Sequence, residues 1–511
     1  MFGFMKRPAM AGGILLEDSR SPADRISTRK SLLPPRLYYP LDFPDGTTAE
    51  LLAIPGDHLL CGMVIARGKD RKHALIHATS SGRLELCEGP LPFPETPSGR
   101  MAVIVTDGLD HAVSNFPPLT CHASKDQLLE RIRDCGIIGL GGGGFPSHEK
   151  ILLVAKDPKL LIINAVECEP YLSCDDRLAR ENAQDLIRYA RLLSDILQIR
   201  RTVFALSEDR GLALHALKTA AFDPGREGPE FMITRPQYPA GGERQLVAQA
   251  TGIELRQDST PSEQGILVFN LATLWAIGRA MALGEILTRR MVTVAGEGLS
   301  DPANLLAPIG TPSDFLVAQC GPSEHSDCEA FIMGGPMMGF AIPRGEVPIL
   351  KTTSAILVTG PPTSDPEPQS PCIRCGACHG ACPERLMPDL LHLYSVAERP
   401  EQLLSLGLLQ CVECGACDLV CPSHIPLTST FRNEKPECRQ IIEDRRKSTQ
   451  ARARFEARQH RIEQEEIEHQ AELKLRKQAL SKSSESKILE ALERAKKRKD
   501  DLRTAPPDGE P

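Results

Sequence analysis

Aromatic residues are scarce in this chain. One Trp, six Tyr and 15 Phe make up 4% of its 511 residues, too few to line a channel on which nucleic-acid bases stack. A strong charge of one sign is also missing, since the formal net charge is −7. That charge is unevenly placed: from residue 439 onward 19 Lys/Arg stand against 15 Asp/Glu, which leaves −11 on residues 1–438. An acidic body does not attract phosphate backbones, so no nucleic-acid partner is expected. Long uncharged apolar runs are absent too. The most apolar stretch, 266–283, holds Asn270 and Arg279 within 18 residues. That is about the shortest span of a bilayer, and a charge near the middle of such a helix is costly. A buried strand over 266–270 leading into a helix over 271–283 is the better reading, and no transmembrane segment is expected. The opening Met-Phe-Gly-Phe-Met-Lys-Arg lacks a signal peptide's ordered regions.

Cysteine, by contrast, is plentiful and concentrated. Eight of 17 cysteines fall in two copies of one pattern. The first reads Cys372-Ile-Arg-Cys375-Gly-Ala-Cys378-His-Gly-Ala-Cys382-Pro383. The second reads Cys411-Val-Glu-Cys414-Gly-Ala-Cys417-Asp-Leu-Val-Cys421-Pro422, with 28 residues between Cys382 and Cys411. In C-x2-C-x2-C-x3-C-P, three thiolates on a tight loop hold three irons of a cubane, and the fourth ligates the other cluster of a pair. On this crossed pattern Cys372, Cys375, Cys378 and Cys421 hold one [4Fe–4S] cluster. Cys382, Cys411, Cys414 and Cys417 hold the second. Zinc favours two separated C-x2-C pairs and disulfides favour secreted chains, so both fit poorly. The other nine cysteines (Cys61, Cys87, Cys121, Cys135, Cys168, Cys174, Cys320, Cys328, Cys438) show no pairing pattern, as in a reducing cytosol.

The remaining chain reads as several units. Residues 1–100 carry short alternating apolar runs between Pro/Gly turns, which predicts a β domain closed by a hinge at Pro90-Leu-Pro-Phe-Pro. From Lys125 the period becomes helical, with Leu128, Leu129, Ile132 and Cys135 on one face. A glycine loop and a helix from Pro146 to about Ala155 follow. Then come a buried strand from Leu160, a helix over 178–197, a strand over 202–206 and a helix over 211–221. That alternation predicts an α/β domain with a mostly parallel sheet over 101–285. Residues 286–360 turn β-rich again, with runs at Arg290, Phe315, Phe331 and Ala355. A Pro-rich linker, 361–371, leads into the cluster module at 372–438. Residues 439–511 form a charged tail, helical or disordered.

Two stretches of the α/β domain carry candidate chemistry. Residues 139–144 satisfy G-x-G-x-x-G, but after a helix, where a dinucleotide fingerprint needs a strand. Their exposed N–H groups could still receive an anion, with Lys150 adding charge; a structural turn is the alternative. Glu167 and Glu169, with Asp175 and Asp176 beyond, lie at the C-terminal end of an apolar strand, where open α/β sheets bind ligands. An exposed acidic loop is the alternative there.

Taken together, Gly139-Leu-Gly-Gly-Gly-Gly-Phe-Pro with Lys150, Asn164-Ala-Val-Glu-Cys-Glu-Pro-Tyr with Asp175-Asp176-Arg, Tyr238-Pro-Ala-Gly241-Gly242-Glu243 and Gly334-Gly-Pro-Met-Met-Gly resemble the C subunit of Rnf/Rsx-type ion-translocating oxidoreductases. That protein is related to the flavin-bearing NADH-oxidising subunit of respiratory complex I. The resemblance implies a barrel-sandwich (lipoyl-like) β domain, a Rossmann-like α/β FMN/NADH domain, a β-grasp (SLBB-type) domain and a two-cluster ferredoxin-like module. It implies FMN and nicotinamide sites made by Gly139, Gly141, Gly142, Gly143, Gly144, Phe145 and Lys150. Asn164, Asp175, Asp176, Gly241, Gly242 and Glu243 would lie nearby, and Glu167 and Glu169 would act as catalytic carboxylates facing the cofactor. No Asp-Lys-Ala hairpin is present, so no lipoyl-lysine is expected.

The function so implied is electron input: NADH gives a hydride to FMN, and two [4Fe–4S] clusters carry electrons onward. Integral-membrane and iron–sulfur subunits of the same complex would couple that flow to ion translocation, with ferredoxin or flavodoxin reached through the complex. The place implied is the cytoplasmic face of the bacterial inner membrane, peripherally bound. A non-catalytic iron–sulfur scaffold and a soluble NADH:acceptor reductase are the competing readings.

Overall fold

The computed structural model describes residues 10–16, 22–44, 46–68, 74–93, 96–154, 158–223, 227–255, 259–323, 330–360 and 368–503. Cys328 and most of the Pro-rich linker lie outside them. The chain divides into two compact units, 1–434 and 435–511.

The first unit begins with two small antiparallel sheets. One holds Arg36–Pro40, Ser98–Thr106, Gly82–Pro90 and His58–Leu59 in that order; the other holds Ala49–Leu51, Val64–Gly68 and Ile76–His77. Alternation decides which residues face inward: Leu84 is buried between exposed Arg83 and Glu85, and it joins Leu37, Tyr39, Ile65 and Ile104 in one core. The Pro90 hinge is not a domain border. Pro90 pairs with Ser98, so this proline ends a strand of a hairpin, a position where proline is tolerated; Pro94 lies outside the described residues. The boundary expected at residue 100 therefore falls inside a strand.

The α/β part is a four-stranded parallel sheet in the order Glu230–Thr234, Arg201–Ser207, Leu160–Ala165, Ile266–Asn270. Its strands read as continuous apolar runs because both faces are covered. Leu161, Ile163, Phe204 and Leu267 pack against helices Lys125–Asp134, Ala183–Leu197 and Leu271–Ala282. Ile162, Val203 and Val268 pack on the opposite face against Leu246 and Val247 of helix Glu243–Thr251. Ser124 and Gln127 form a capping box on the first helix, and Asn270 caps the last. The helix expected over 178–197 is two, Cys174–Glu181 and Ala183–Leu197, parted at Asn182, whose φ of −125° is not helical.

A six-stranded mixed sheet follows, with Ala303–Pro308, Arg289–Ala295 and Ala355–Leu357 at its centre. Arg289–Ala295 pairs antiparallel with the first and parallel with the last. The run at Phe315, read as a strand, is the short helix Ser313–Ala318, which buries Leu316 and Val317. Short helices over 377–419 carry the cysteine motifs. In the second unit the helix Leu427–Arg503 continues, and residues 444–501 are all exposed. The tail is thus helical as far as Arg503. Among the described residues no helix is long and apolar enough to cross a membrane.

Candidate functional site

The glycine loop hangs between helix Lys125–Asp134 and the short helix Ser147–Leu152. Gly139 N–H donates to Phe145 O at 2.8 Å and Gly144 N–H to Gly139 O at 3.2 Å, closing the loop on itself. Leu140 N–H donates to Thr273 Oγ1 at 2.8 Å, which fixes the loop to the helix after the last strand. Nothing lies within 4 Å of where a Cβ on Gly142 or Gly143 would stand, so bare backbone faces open space. That suits approach by a large anionic ligand.

Beside the loop is a cavity of about 600 Å³. Gly139, Gly141, Gly143, Phe145 and Lys150 form one wall; Asn164, Glu167, Glu169 and Asp175 come from the strand end, and Gly241, Gly242 and Glu243 from the opposite face. Those three segments, far apart in sequence, meet at the C-terminal edge of the parallel sheet, as open α/β sheets require of a ligand site. Gly142, Gly144 and Asp176 do not line it. Asp176 is buried and ion-paired with Arg180.

The carboxylates are not an exposed acidic loop. Glu167 is 8% exposed; it accepts N–H bonds from Asp175 (3.1 Å) and Asp176 (3.4 Å), with Arg210 at 3.9 Å. Burial raises its pKa against the pull of Arg210, and burial plus the charge of Glu167 raises Asp175. Asn270 Nδ2 donates to Asp175 at 2.5 Å. Glu169 accepts from Met337 N–H at 2.9 Å and Met338 N–H at 3.4 Å, and burial raises it too. A Cβ on Gly335 would lie 1.9 Å from Glu169 Oε2, so that glycine makes room for the carboxylate. Lys150 Nζ is paired with Glu243 Oε1 at 2.8 Å. Asn164 is a strut, donating to Gly241 O at 2.8 Å and accepting from Val166 N–H at 3.0 Å.

Sequence reasoning missed several residues of this wall. Arg290 is 3% exposed, lines the cavity and donates to the carbonyls of Leu140 and Lys351. An Arg opening an apolar strand was the available signal. Asn270, at the end of its strand in register with Asn164, was another. Tyr238, which opens the Tyr238–Glu243 stretch, lines the cavity as well; so do Val412 and Cys414, and nothing local in the sequence points to those two.

The cysteine motifs repeat in backbone as well as spelling. Gly376 (φ 77°) and Gly415 (φ 75°) each cap a short helix, and Arg374 (56°) matches Glu413 (55°). At both glycines the left-handed turn favours a residue without a Cβ. Cys372, Cys375, Cys378 and Cys421 line one small cavity. Elsewhere Cys414 lies within electrostatic reach of Cys411 and Cys382, and Cys417 of Cys411 and Cys414. Burial raises the thiol pKa of Cys378, Cys382 and Cys417, and that of Cys414 to about 11. Iron at such a site would supply the charge that stabilises the thiolates.

Three family models match in sequence order: the RnfC barrel sandwich hybrid domain at 8–108, the Nuo51 FMN-binding domain at 132–279 and a 4Fe-4S dicluster domain at 366–425. A relative from Haemophilus influenzae (strain PittEE), named as the C subunit of an ion-translocating oxidoreductase complex, is 37% identical over 465 residues, 89% of this chain and 70% of that one. The chain belongs to the C-subunit family of ion-translocating oxidoreductase complexes. The C subunits from Pseudomonas aeruginosa (39% identical, 91% of this chain and 60% of the relative) and Cronobacter sakazakii (35%, 96% and 63%) agree. The chain thus spans about three fifths of the length of these two relatives. In this family member the FMN-binding model covers the glycine loop and both strand-end glutamates, but stops before Arg290.

Proposed function

We propose that the chain is the electron-input subunit of a membrane-bound ion-translocating oxidoreductase, taking electrons from NADH through FMN and two [4Fe–4S] clusters. One observation carries this reading: Val412 and Cys414 stand in the same cavity wall as the glycine loop and the carboxylates. A flavin held there accepts two electrons as hydride and releases them singly, and a cubane carries one at a time.

The loop N–H groups and Lys150 are suited to the phosphate. Glu167, Asp175 and Asn270 offer a buried polar face to the ring and nicotinamide, and Arg290 provides a fixed positive charge. The cysteines divide by exposure: Cys414 is buried, whereas Cys372 and Cys375 are exposed. The order of transfer is therefore from the cavity to the Cys411–Cys414–Cys417 site with Cys382, then to the Cys372–Cys375–Cys378 site with Cys421, and out to membrane and iron–sulfur subunits. The mixed sheet, with Arg289–Ala295 parallel to Ala355–Leu357 and the helix Ser313–Ala318 between them in sequence, is read as the β-grasp domain. Attachment is peripheral, on the cytoplasmic face of the inner membrane, through those partners.

Anaerobic purification followed by NADH titration tests the proposal. About eight irons per chain, bound flavin and bleaching on NADH addition are expected. The same iron without flavin or response would return the glycine loop to a structural turn and leave an iron–sulfur scaffold.

A further inference from the structure

Tyr238 touches the cavity and both segments that carry the second cysteine set. Its side chain is buried and lines the cavity. Its hydroxyl donates to the carbonyl oxygen of Cys414 at 2.6 Å. That bond falls on the peptide between Cys414 and Gly415, inside the loop that carries three of the four thiols. Tyr238 N–H also donates to Ile14 O at 2.8 Å, and Ile14 N–H returns to Tyr238 O at 2.9 Å. One residue earlier, Gly13 N–H donates to Ala381 O at 2.9 Å. A Cβ on Gly12 would lie 2.2 Å from Cys382 O, so this strap, 12–14, lies against the fourth cysteine of the same set.

The hydroxyl is the part of this side chain that packing does not explain. A phenyl ring would fill the same apolar slot among Ala381, Cys414 and Ala416. A phenol is an O–H donor, so the hydroxyl supplies the one bond that a phenyl ring would lack. Hydrogen bonds around a cluster's ligands tune its potential and fix its ligand loop.

We infer that Tyr238 is a positioning residue for electron transfer out of the cavity. Its hydroxyl holds the Cys414 loop against the cavity wall and holds up the potential of the cluster bound by Cys382, Cys411, Cys414 and Cys417, while the strap 12–14 ties Cys382 to the same point. This rests on the reading that those four cysteines hold a cluster.

The test is a redox titration by EPR on the full chain with Y238F, using dithionite and mediators so that NADH chemistry does not enter. The signal lost in C382A is expected to move to lower potential and the other to stay. Hydrogen exchange over 411–417 is expected to quicken. G12A, which presses on Cys382 and leaves the hydroxyl in place, is the second variant and should perturb the same signal. Two clusters with unmoved potentials in Y238F, or movement of the Cys372 signal instead, overturns the inference. So does an unmoved G12A if Y238F loses its iron. Fewer than about eight irons in the unsubstituted chain overturns the underlying cluster reading, a separate result.

Discussion

Lys150 Nζ donates to Glu243 Oε1 across 2.8 Å, on the cavity wall between the glycine loop and the strand ends. The cation expected to await a phosphate already has a carboxylate partner. An incoming anion therefore competes with Glu243. Removing the competitor in E243Q is expected to tighten FMN binding several-fold, whereas K150A should weaken it by a factor of about 10 to 100, the worth of a charge-assisted hydrogen bond. Flavin fluorescence titration of the apo-protein reads both. Equal weakening in the two variants would mean that the pair serves only the fold.

Glu167 raises the pKa of its neighbour Asp175 by its charge, on top of burial. E167Q keeps the shape and removes the charge, so the pKa of Asp175 falls. NADH oxidation is expected to slow, with its acid limb shifted to lower pH and iron content intact. An unshifted limb in the pH–rate profile would remove Asp175 and Glu167 from the reaction's proton inventory.

Much of this was legible in the sequence because it is local. The strand Ile266–Asn270 and the helix after it follow from an apolar run and an Asn cap, and the cluster motifs from spacing alone. The glycine loop and strand-end glutamates were legible as separate signals, and the fold supplies their convergence. What failed depended on partners remote in sequence. The prolines after Pro90 resemble a hinge until Ser98 is known to pair there. Likewise, Phe315 to Ala318 has strand-like composition but lies in the helix Ser313–Ala318, which buries Leu316 and Val317. Arg290 and Tyr238 matter through residues more than a hundred positions away, a distance no periodicity encodes.

The two cysteine motifs make a test by exchange. Cys382 belongs by sequence with Cys372, Cys375 and Cys378, yet it lies within electrostatic reach of Cys414. C382A is expected to cost the cluster of Cys411, Cys414 and Cys417, and C421A the other. Each variant should retain about four irons and one EPR signal, and the two retained signals should differ. The opposite loss, C382A losing the signal that C375A loses and C421A the signal that C414A loses, would refute the crossing.

His77 and Lys351 face each other where the first β domain meets the foot of the glycine loop. Lys351 Nζ donates to Leu75 O at 2.8 Å and Gly136 O at 2.7 Å. Burial and then the lysine's charge lower the pKa of His77 to about 3, and burial lowers that of Lys351 to about 7. In the unfolded chain both titrate near their ordinary values, so between pH 6.5 and 3 the unfolded state binds a proton at His77 that the folded state does not. Stability then falls as pH falls through that window, by at most about 1.4 kcal/mol per unit. For Lys351 the window is 10.5 down to 7, and most of its loss has occurred by neutrality. Lowering the pH from about 7.5 to about 5.5 therefore acts chiefly through the histidine. Native-state hydrogen exchange at Gly136–Leu140 is expected to speed up over that interval, and less so in H77Q, where residue 77 gains no proton. Equal acceleration in both chains would place the acid-sensitive group elsewhere.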